Sequence, residues 1–269
     1  MGLQCHAKGR LRGLAGRKNF VSLQQNSQML IKSRALVLVK LKYNDSSEIV
    51  HLFTEAEGCV AFIVRVPKTR RAGVKNVLFQ PLNLLRVEWD HRNGRQLQRL
   101  RSVEVDYAYH SLSRQPMKVA LGSFVSEFLY HALRNERGNN LLYEYLYTAL
   151  QWLDMAPSGY ANFHLALMLR VSRFLGIFPN GVEYTAGMVF DLQGAIFSPV
   201  LPPHPHYVPA AEAALVPRLL RMDFYNMHLY PFSRRQRVEV LEWMNTYYRL
   251  HLPGFPRLKS IEILREVFD

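Results

Sequence analysis

Arg65, Lys68, Arg70, Arg71 and Lys75 place five cations within eleven residues, and Arg92, Arg95, Arg99 and Arg101 add four more within ten. Clustered side chains of this kind break no bonds by themselves. They bind polyanions, because each phosphate contact releases condensed counterions. The patterns of catalysis are missing: the chain contains no GxSxG, Walker A, GxGxxG or HExxH, and no acidic cluster of the two-metal nuclease type stands out. Glu127 and His131 have the four-residue spacing of an ordinary helical pair. His204 and His206 flank Pro205 without a third ligand nearby, a poor metal site. Tyr143, Tyr145, Tyr147 and Trp152 invite comparison with a base-stacking box, but they fall on a helix, where core packing is the stronger reading. Two cysteines, Cys5 and Cys59, supply neither a disulfide framework nor the paired half-sites of a zinc module. A non-enzymatic binding protein without cofactor or metal is therefore expected.

The charge is unevenly placed. The chain of 269 residues carries 34 Lys and Arg against 21 Asp and Glu, a formal +13. Residues 1–28 hold five basic side chains and no acid, residues 29–108 hold 14 and 8, and residues 109–269 hold 15 and 13. The first part of the chain thus faces a polyanion, with simple surface solubility as the bland alternative. A hydrophobic fraction of 49% excludes global disorder. No apolar run reaches the roughly 18 residues of a membrane span. Residues 1–29 read as a basic flexible tail. A presequence or an unused upstream start also fits them, since Met29 directly precedes the first strand-like run.

Around the cations the elements follow from periodicity. Ser33 to Lys42 (SRALVLVKLK), Glu48 to Thr54 and Cys59 to Val66 are three short β-rich runs separated by turn residues, which makes a meander. The basic loop from Pro67 to Gln80 follows, then Leu82 to Trp89. Asn93-Gly94 is a hairpin turn signal that leads into a fifth run, Leu97 to Val105. There Arg95, Arg99 and Arg101 share one face by period-two spacing. Five strands in about 75 residues, with a long connection after the third, is the pattern of a small barrel such as the OB-fold.

After Tyr107 the pattern turns helical: Gln115 to Glu136, Asn140 to Asp154, Asn162 to Leu175, about Arg234 to His251 with a Ser233/Gln236 capping box, and Ile261 to Phe268. Residues 177–209 contain six prolines and read as an irregular excursion. The predicted class is α+β, with an OB-fold over 30–107 and an all-helical domain over 108–269.

With this order in view, the chain from about residue 30 onward resembles the bacterial DNA repair and recombination mediator family RecO. Ala35 to Leu38, Asn44 to Glu48, Leu52 to Thr54 and Gly58 match the family's opening strands. Phe79-Gln80-Pro81-Leu82 resembles its LQPF-like strand start. VSEFLYHALRNE, FHLALMLRVSRFLGIFPN and YYRLHLPGFPRLKSIEILREVF are similar to its helical segments. Many family members carry a four-cysteine zinc module after the central helix; here Asn180 to Tyr207 has no cysteine, so the chain is similar to a zinc-less branch.

The resemblance implies a cytoplasmic, nucleoid-associated mediator that binds single- and double-stranded DNA and anneals complementary strands. It also implies contact with the acidic, apolar tail of single-strand-binding protein and with RecR, to help load recombinase. By the same resemblance Arg65 falls at the family's basic DNA contact, and Lys68, Arg70 and Arg71 in its basic loop. The tail would need an aliphatic pocket with a basic rim, for which Arg170 and Arg173 are candidates; a helix-end salt bridge is the plainer alternative. An RNA-binding or translation-associated OB-fold protein is the rival function.

Overall fold

The computed structural model describes residues 29–65, 77–180 and 183–267. Strands β1 (Met29–Asn44), β2 (Ser47–Thr54) and β3 (Gly58–Arg65) form the antiparallel meander. β1 also pairs antiparallel with β4 (Leu84–His91), and β4 with β6 (Leu100–Tyr107). Between them β5 (Leu97–Gln98) runs parallel to β3. The sheet order is β5-β3-β2-β1-β4-β6. Both edges therefore come from one stretch of chain, 97–107, interrupted at Arg99. Only two residue pairs, Ala61 with Leu97 and Phe62 with Gln98, join it to β3. The expected barrel is OB-like but left partly open.

β1 begins earlier than its sequence pattern indicates. Met29 to Lys32 pair with His91 to Glu88, so a partner strand extends a run whose local signal starts at Ser33. Met29, expected in the tail, is the first residue of a strand; residues 1–28 lie outside the described residues. Alternation along β1 then serves two cores. Ala35 and Val37 join Ile31, Val50, Leu52, Phe62, Phe79, Leu85, Val87 and Trp89 inside the sheet, where Phe62 and Trp89 meet edge to face at 5.5 Å. Leu36 and Leu38 point the other way and pack with Phe53 and Leu84 against the helices. The ALVL run is uniformly apolar because both faces are covered, and each such side chain contributes roughly 1.5–3 kcal/mol on burial.

The helical part consists of α1 (Pro116–Leu133), α2 (Asn140–Met155), α3 (Phe163–Phe174), α4 (Ala210–Ala213), α5 (Leu215–Arg221), a 3-10 turn (Met227–Leu229), α6 (Arg234–His251) and α7 (Ser260–Val267). α3 lies at the centre, with nine of its twelve residues buried. α6 starts with the capping box read from sequence: the Ser233 hydroxyl accepts from the Gln236 N–H at 3.2 Å, and the Gln236 side chain accepts from the Ser233 N–H at 2.8 Å. Glu127 does not serve as a simple pair with His131. Its carboxylate accepts from the N–H groups of Lys259 (2.9 Å) and Ser260 (2.8 Å) and from the Ser260 hydroxyl, capping α7 from a distance. The irregular stretch 177–209 holds a three-stranded sheet, β8 (Ile196–Ser198), β7 (Val189–Asp191) and β9 (Tyr207–Val208) in that order. Phe190 and Val208 from it pack with Val216 and Tyr247.

Sheet and helices meet without slack. A Cβ on Gly58, whose φ is +73°, would fall 2.2 Å from the Glu136 carbonyl oxygen, and one on Gly138 would fall 2.4 Å from that of Ala56. The Cys59 N–H donates to Glu136 O at 3.0 Å across the same junction.

Candidate nucleic-acid interface

Arg65 ends β3 and is exposed, paired in register with Ser47. Lys68, Arg70, Arg71 and Lys75 lie outside the described residues. The remaining four arginines are gathered differently from the sequence expectation. Arg95 sits in the turn before β5, Arg99 occupies the break between β5 and β6, and Arg101 alone of the three is within a strand. Period-two spacing fails because the strand is interrupted at Arg99, where the chain changes partner from β3 to β4. The turn itself brings the side chains together. Arg92, Arg95, Arg99 and Arg101 line one cleft of about 230 Å³ with Asp90 and Gln98. All four are exposed.

Local chemistry builds this turn. Gly94 has a φ of +77°, which the Asn-Gly signal anticipates. Gln98 is 4% exposed and its amide faces the turn backbone. Its Oε1 accepts from the Arg92 N–H at 3.1 Å, and its Nε2 donates to the carbonyls of Arg92 (3.0 Å) and Arg95 (2.9 Å). Asp90 stands 3.9 Å from Arg101, a loose contact at an exposed position worth little in water. Two neighbouring ion pairs lie on the same sheet: Lys32 with Glu88 at 2.7 Å and Arg86 with Asp106 at 2.5 Å. The hydrogen bond from Lys32 holds the Glu88 carboxyl below its usual range. The Gln98 amide is taken up by the backbone, and the exposed guanidinium forks suit phosphate, whose oxygens accept two parallel N–H bonds, rather than base edges.

A second groove lies on the helical part. Arg170 and Arg173 of α3 line it with Tyr145, Phe174, Asp223, Phe224 and Tyr225, around an open volume of about 510 Å³. Its walls are aromatic rather than aliphatic. Arg170 donates through Nε to the Met222 carbonyl at 3.2 Å and lies 3.6 Å from Asp223, so its ion pair is to another element and not a helix-end contact. Arg173 is exposed, lies over the Phe178 ring at 4.0 Å, and has no carboxylate partner among the described residues. The Tyr145 hydroxyl is buried without a hydrogen-bond partner among the described residues; burial pushes its pKa up while Arg170 opposes the shift.

Tyr143, Tyr145, Tyr147 and Trp152 of α2 pack in or against the core as read from the sequence, and two of them take a further role that the sequence does not show. Arg34 of β1 lies over the rings of Tyr143 (5.2 Å) and Tyr147 (5.1 Å). It binds Glu55 through two nitrogens at 2.8 and 3.0 Å and also reaches Glu144. Trp152 stacks on Phe163. Through Arg34 the rings of Tyr143 and Tyr147 pin the sheet to the helices. The one available signal was an arginine alternating into a strand otherwise bound for the core.

His204 lies 3.4 Å from Asp191, and no group of three or more His, Cys, Asp or Glu converges as a metal site among the described residues. No helix is long and apolar enough to cross a membrane.

Two family models match the chain: the recombination protein O N-terminal model over residues 29–109 and the C-terminal model over residues 114–261. The chain is 44% identical to the DNA repair protein RecO of Bacteroides fragilis over 242 residues, covering 90% of this chain and 100% of that protein. It is 42% identical to the RecO of Phocaeicola vulgatus over 240 residues, covering 89% and 100%. Against the RecO of Flavobacterium psychrophilum it is 33% identical over 244 residues, again 89% and 100%. With an OB-like sheet, an arginine-lined turn and a helical second part in the order those models span, the chain belongs to the recombination protein O family of DNA repair proteins.

Proposed function

We propose that the protein is a non-enzymatic recombination mediator of the cytoplasm that holds single- and double-stranded DNA by its phosphates and anneals complementary strands. The cleft of Arg92, Arg95, Arg99 and Arg101 carries this reading, since it presents four exposed guanidinium groups against the single carboxylate of Asp90. Arg65 and the basic loop with Lys68, Arg70, Arg71 and Lys75 extend the DNA contact in this proposal, with residues 30–107 as the DNA-facing part. Two strands repel through their phosphates, and a cationic surface that neutralises both lets bases pair without reading any of them.

Residues 108–269 face protein partners in the same reading. The Arg170/Arg173 groove offers aromatic walls and a cationic rim, the complement of an acidic, apolar peptide such as the tail of single-strand-binding protein. RecR is the further partner with which recombinase is loaded.

The test is annealing of complementary oligonucleotides precoated with single-strand-binding protein, run across a salt series. Acceleration that weakens with salt, and that charge reversal of Arg92, Arg95, Arg99 and Arg101 abolishes, is expected. Absence of acceleration, or acceleration indifferent to those changes, overturns the proposal.

A further inference from the structure

We propose that Gln98 is a positioning residue for DNA binding, holding the arginine turn in the shape that lets its cations act on one strand together. The proposal rests on the reading of the Arg92, Arg95, Arg99 and Arg101 cleft given above. Gln98 is the buried polar residue beneath four exposed arginines, and three hydrogen bonds of its amide go to the turn's backbone, at Arg92 N–H, Arg92 C=O and Arg95 C=O.

Gly94 at positive φ lets the chain reverse without strain. What the turn does need is resistance to its own charge. Four guanidinium groups around about 230 Å³ repel one another, with Asp90 the one carboxylate in the lining and 3.9 Å from Arg101. An unrestrained turn relieves the repulsion by splaying. Gln98 prevents this from the backbone side, leaving the side chains free to meet phosphate.

The residue is also anchored at its other end. Its own backbone pairs with Phe62 of β3, and β3 ends three residues later at Arg65. Gln98 thus ties the arginine turn to the strand that carries Arg65, across the two-residue ladder that joins β5 to β3. Binding that begins with the cations already placed loses less conformational entropy than binding that must gather them.

The experiment uses the full chain and a dye-labelled single-stranded oligonucleotide, with affinity read by fluorescence anisotropy across a salt series. Gln98→Met keeps the length and burial of the side chain and removes all three hydrogen bonds. The expected result is a weakening of roughly 5- to 10-fold and a shallower salt dependence, lower by about one phosphate contact. The same change in an Arg92→Ala/Arg95→Ala background is expected to leave affinity unaltered, because the positioned cations are gone. Equal weakening in both backgrounds means that Gln98 serves folding alone and overturns the inference. So does unaltered affinity for Gln98→Met where Arg92→Ala/Arg95→Ala binds weakly. If Arg92→Ala/Arg95→Ala itself binds like the unmodified protein, the failure lies in the arginine cleft as a DNA site.

Discussion

Lys118 of α1 donates to the main-chain carbonyl of Asp154 in α2 at 2.8 Å, while the Asp154 carboxylate is taken up by the N–H groups of His110 (2.9 Å), Ser111 (2.7 Å) and Leu112 (2.7 Å). Lys118 also donates to Ala156 O and to the Ser111 hydroxyl, both at 2.7 Å. Charge and countercharge thereby clamp the connection between the sheet and the helices instead of neutralising each other head to head. The side chains are 1% and 2% exposed.

Replacing Asp154 by Asn removes one acceptor from a site where every partner is a donor. Burial alone would raise the Asp154 carboxyl, but the backbone N–H groups and Tyr107 outweigh it and hold it below 3.8. A depressed folded value gives stability that is present above the unfolded value and lost as pH falls through the folded one. Asp154→Asn is expected to cost about 2–3 kcal/mol at neutral pH and to flatten the acid limb of the stability curve below about pH 4. Urea titrations at stepped pH measure both. A neutral-pH cost near zero contradicts the clamp.

Arg34 tests the other tie between sheet and helices. It is shared by two carboxylates and two tyrosine rings, and the hydrogen bonds it donates to Glu55 and Glu144 keep its guanidinium firmly protonated. Arg34→Lys keeps the charge and loses the planar fork that serves both sides. Thermal unfolding is expected to show nearly the loss of Arg34→Ala, about 1–3 kcal/mol, so that charge alone does not rescue. Full rescue by lysine refutes the two-sided geometry.

How far the sequence foretold these ties depends on their range. Helix termini were legible because their signals are local: Ser233 and Gln236 stand three apart and meet as read. The arginine cleft was legible as charge but not as shape, since its geometry comes from the strand interruption at Arg99 and from Gln98 turning inward, both set by which strand the chain pairs with. Arg34 and Lys118 carry no signal in the sequence of which residues they meet, because nothing local names partners 110 and 36 residues away. The helices α4 and α5 are short and follow a Pro-rich stretch, so their periodicity was too brief to register.

His164 predicts a second pH effect. It is fully buried on α3 with its ring edge to face against Phe124 at 5.8 Å. Burial, with Arg237 adding to it, pushes its pKa down to about 3 from 6.5. The unfolded chain therefore takes up a proton that the folded chain refuses. Stability is full above pH 6.5 and declines as pH falls toward 3, by about 2 kcal/mol at pH 5 from this residue. His51 and His131, both lowered chiefly by burial, act in the same direction. Thermal melts of His164→Leu at pH 7 and pH 5 are expected to differ less than those of the unmodified chain. An unchanged difference rules His164 out as the source.

The glycine junction makes a prediction about packing. Gly138→Ala drives a methyl to 2.4 Å from a backbone oxygen that no side-chain rotation can move, and Gly58→Ala adds a positive φ to a similar collision. Each is expected to cost about 2–4 kcal/mol, whereas Gly176→Ala, with open space around its Cβ, is expected to cost only the about 1 kcal/mol of its φ of +70°. Chemical denaturation of the three variants ranks them. Equal losses at all three positions contradict close contact between sheet and helices as the cause.

The groove on α3 separates its two arginines by their present partners. Arg170 is already bound to Asp223 and to the Met222 carbonyl, while Arg173 is exposed over the Phe178 ring and has no carboxylate partner among the described residues. An acidic, apolar peptide entering the groove finds Arg173 available at no loss of an existing ion pair. Arg173→Glu is therefore expected to weaken binding of such a peptide by about 10-fold or more without lowering the melting temperature, whereas Arg170→Glu is expected to lower both. Tyr225→Ala, which removes an exposed aromatic wall, is expected to weaken binding with little salt dependence, in contrast to Arg173→Glu. Titration calorimetry with a peptide of acidic residues ending in an aromatic side chain, at low and high salt, reads all three. Wild-type affinity in Arg173→Glu removes the groove from consideration as the acidic-peptide site.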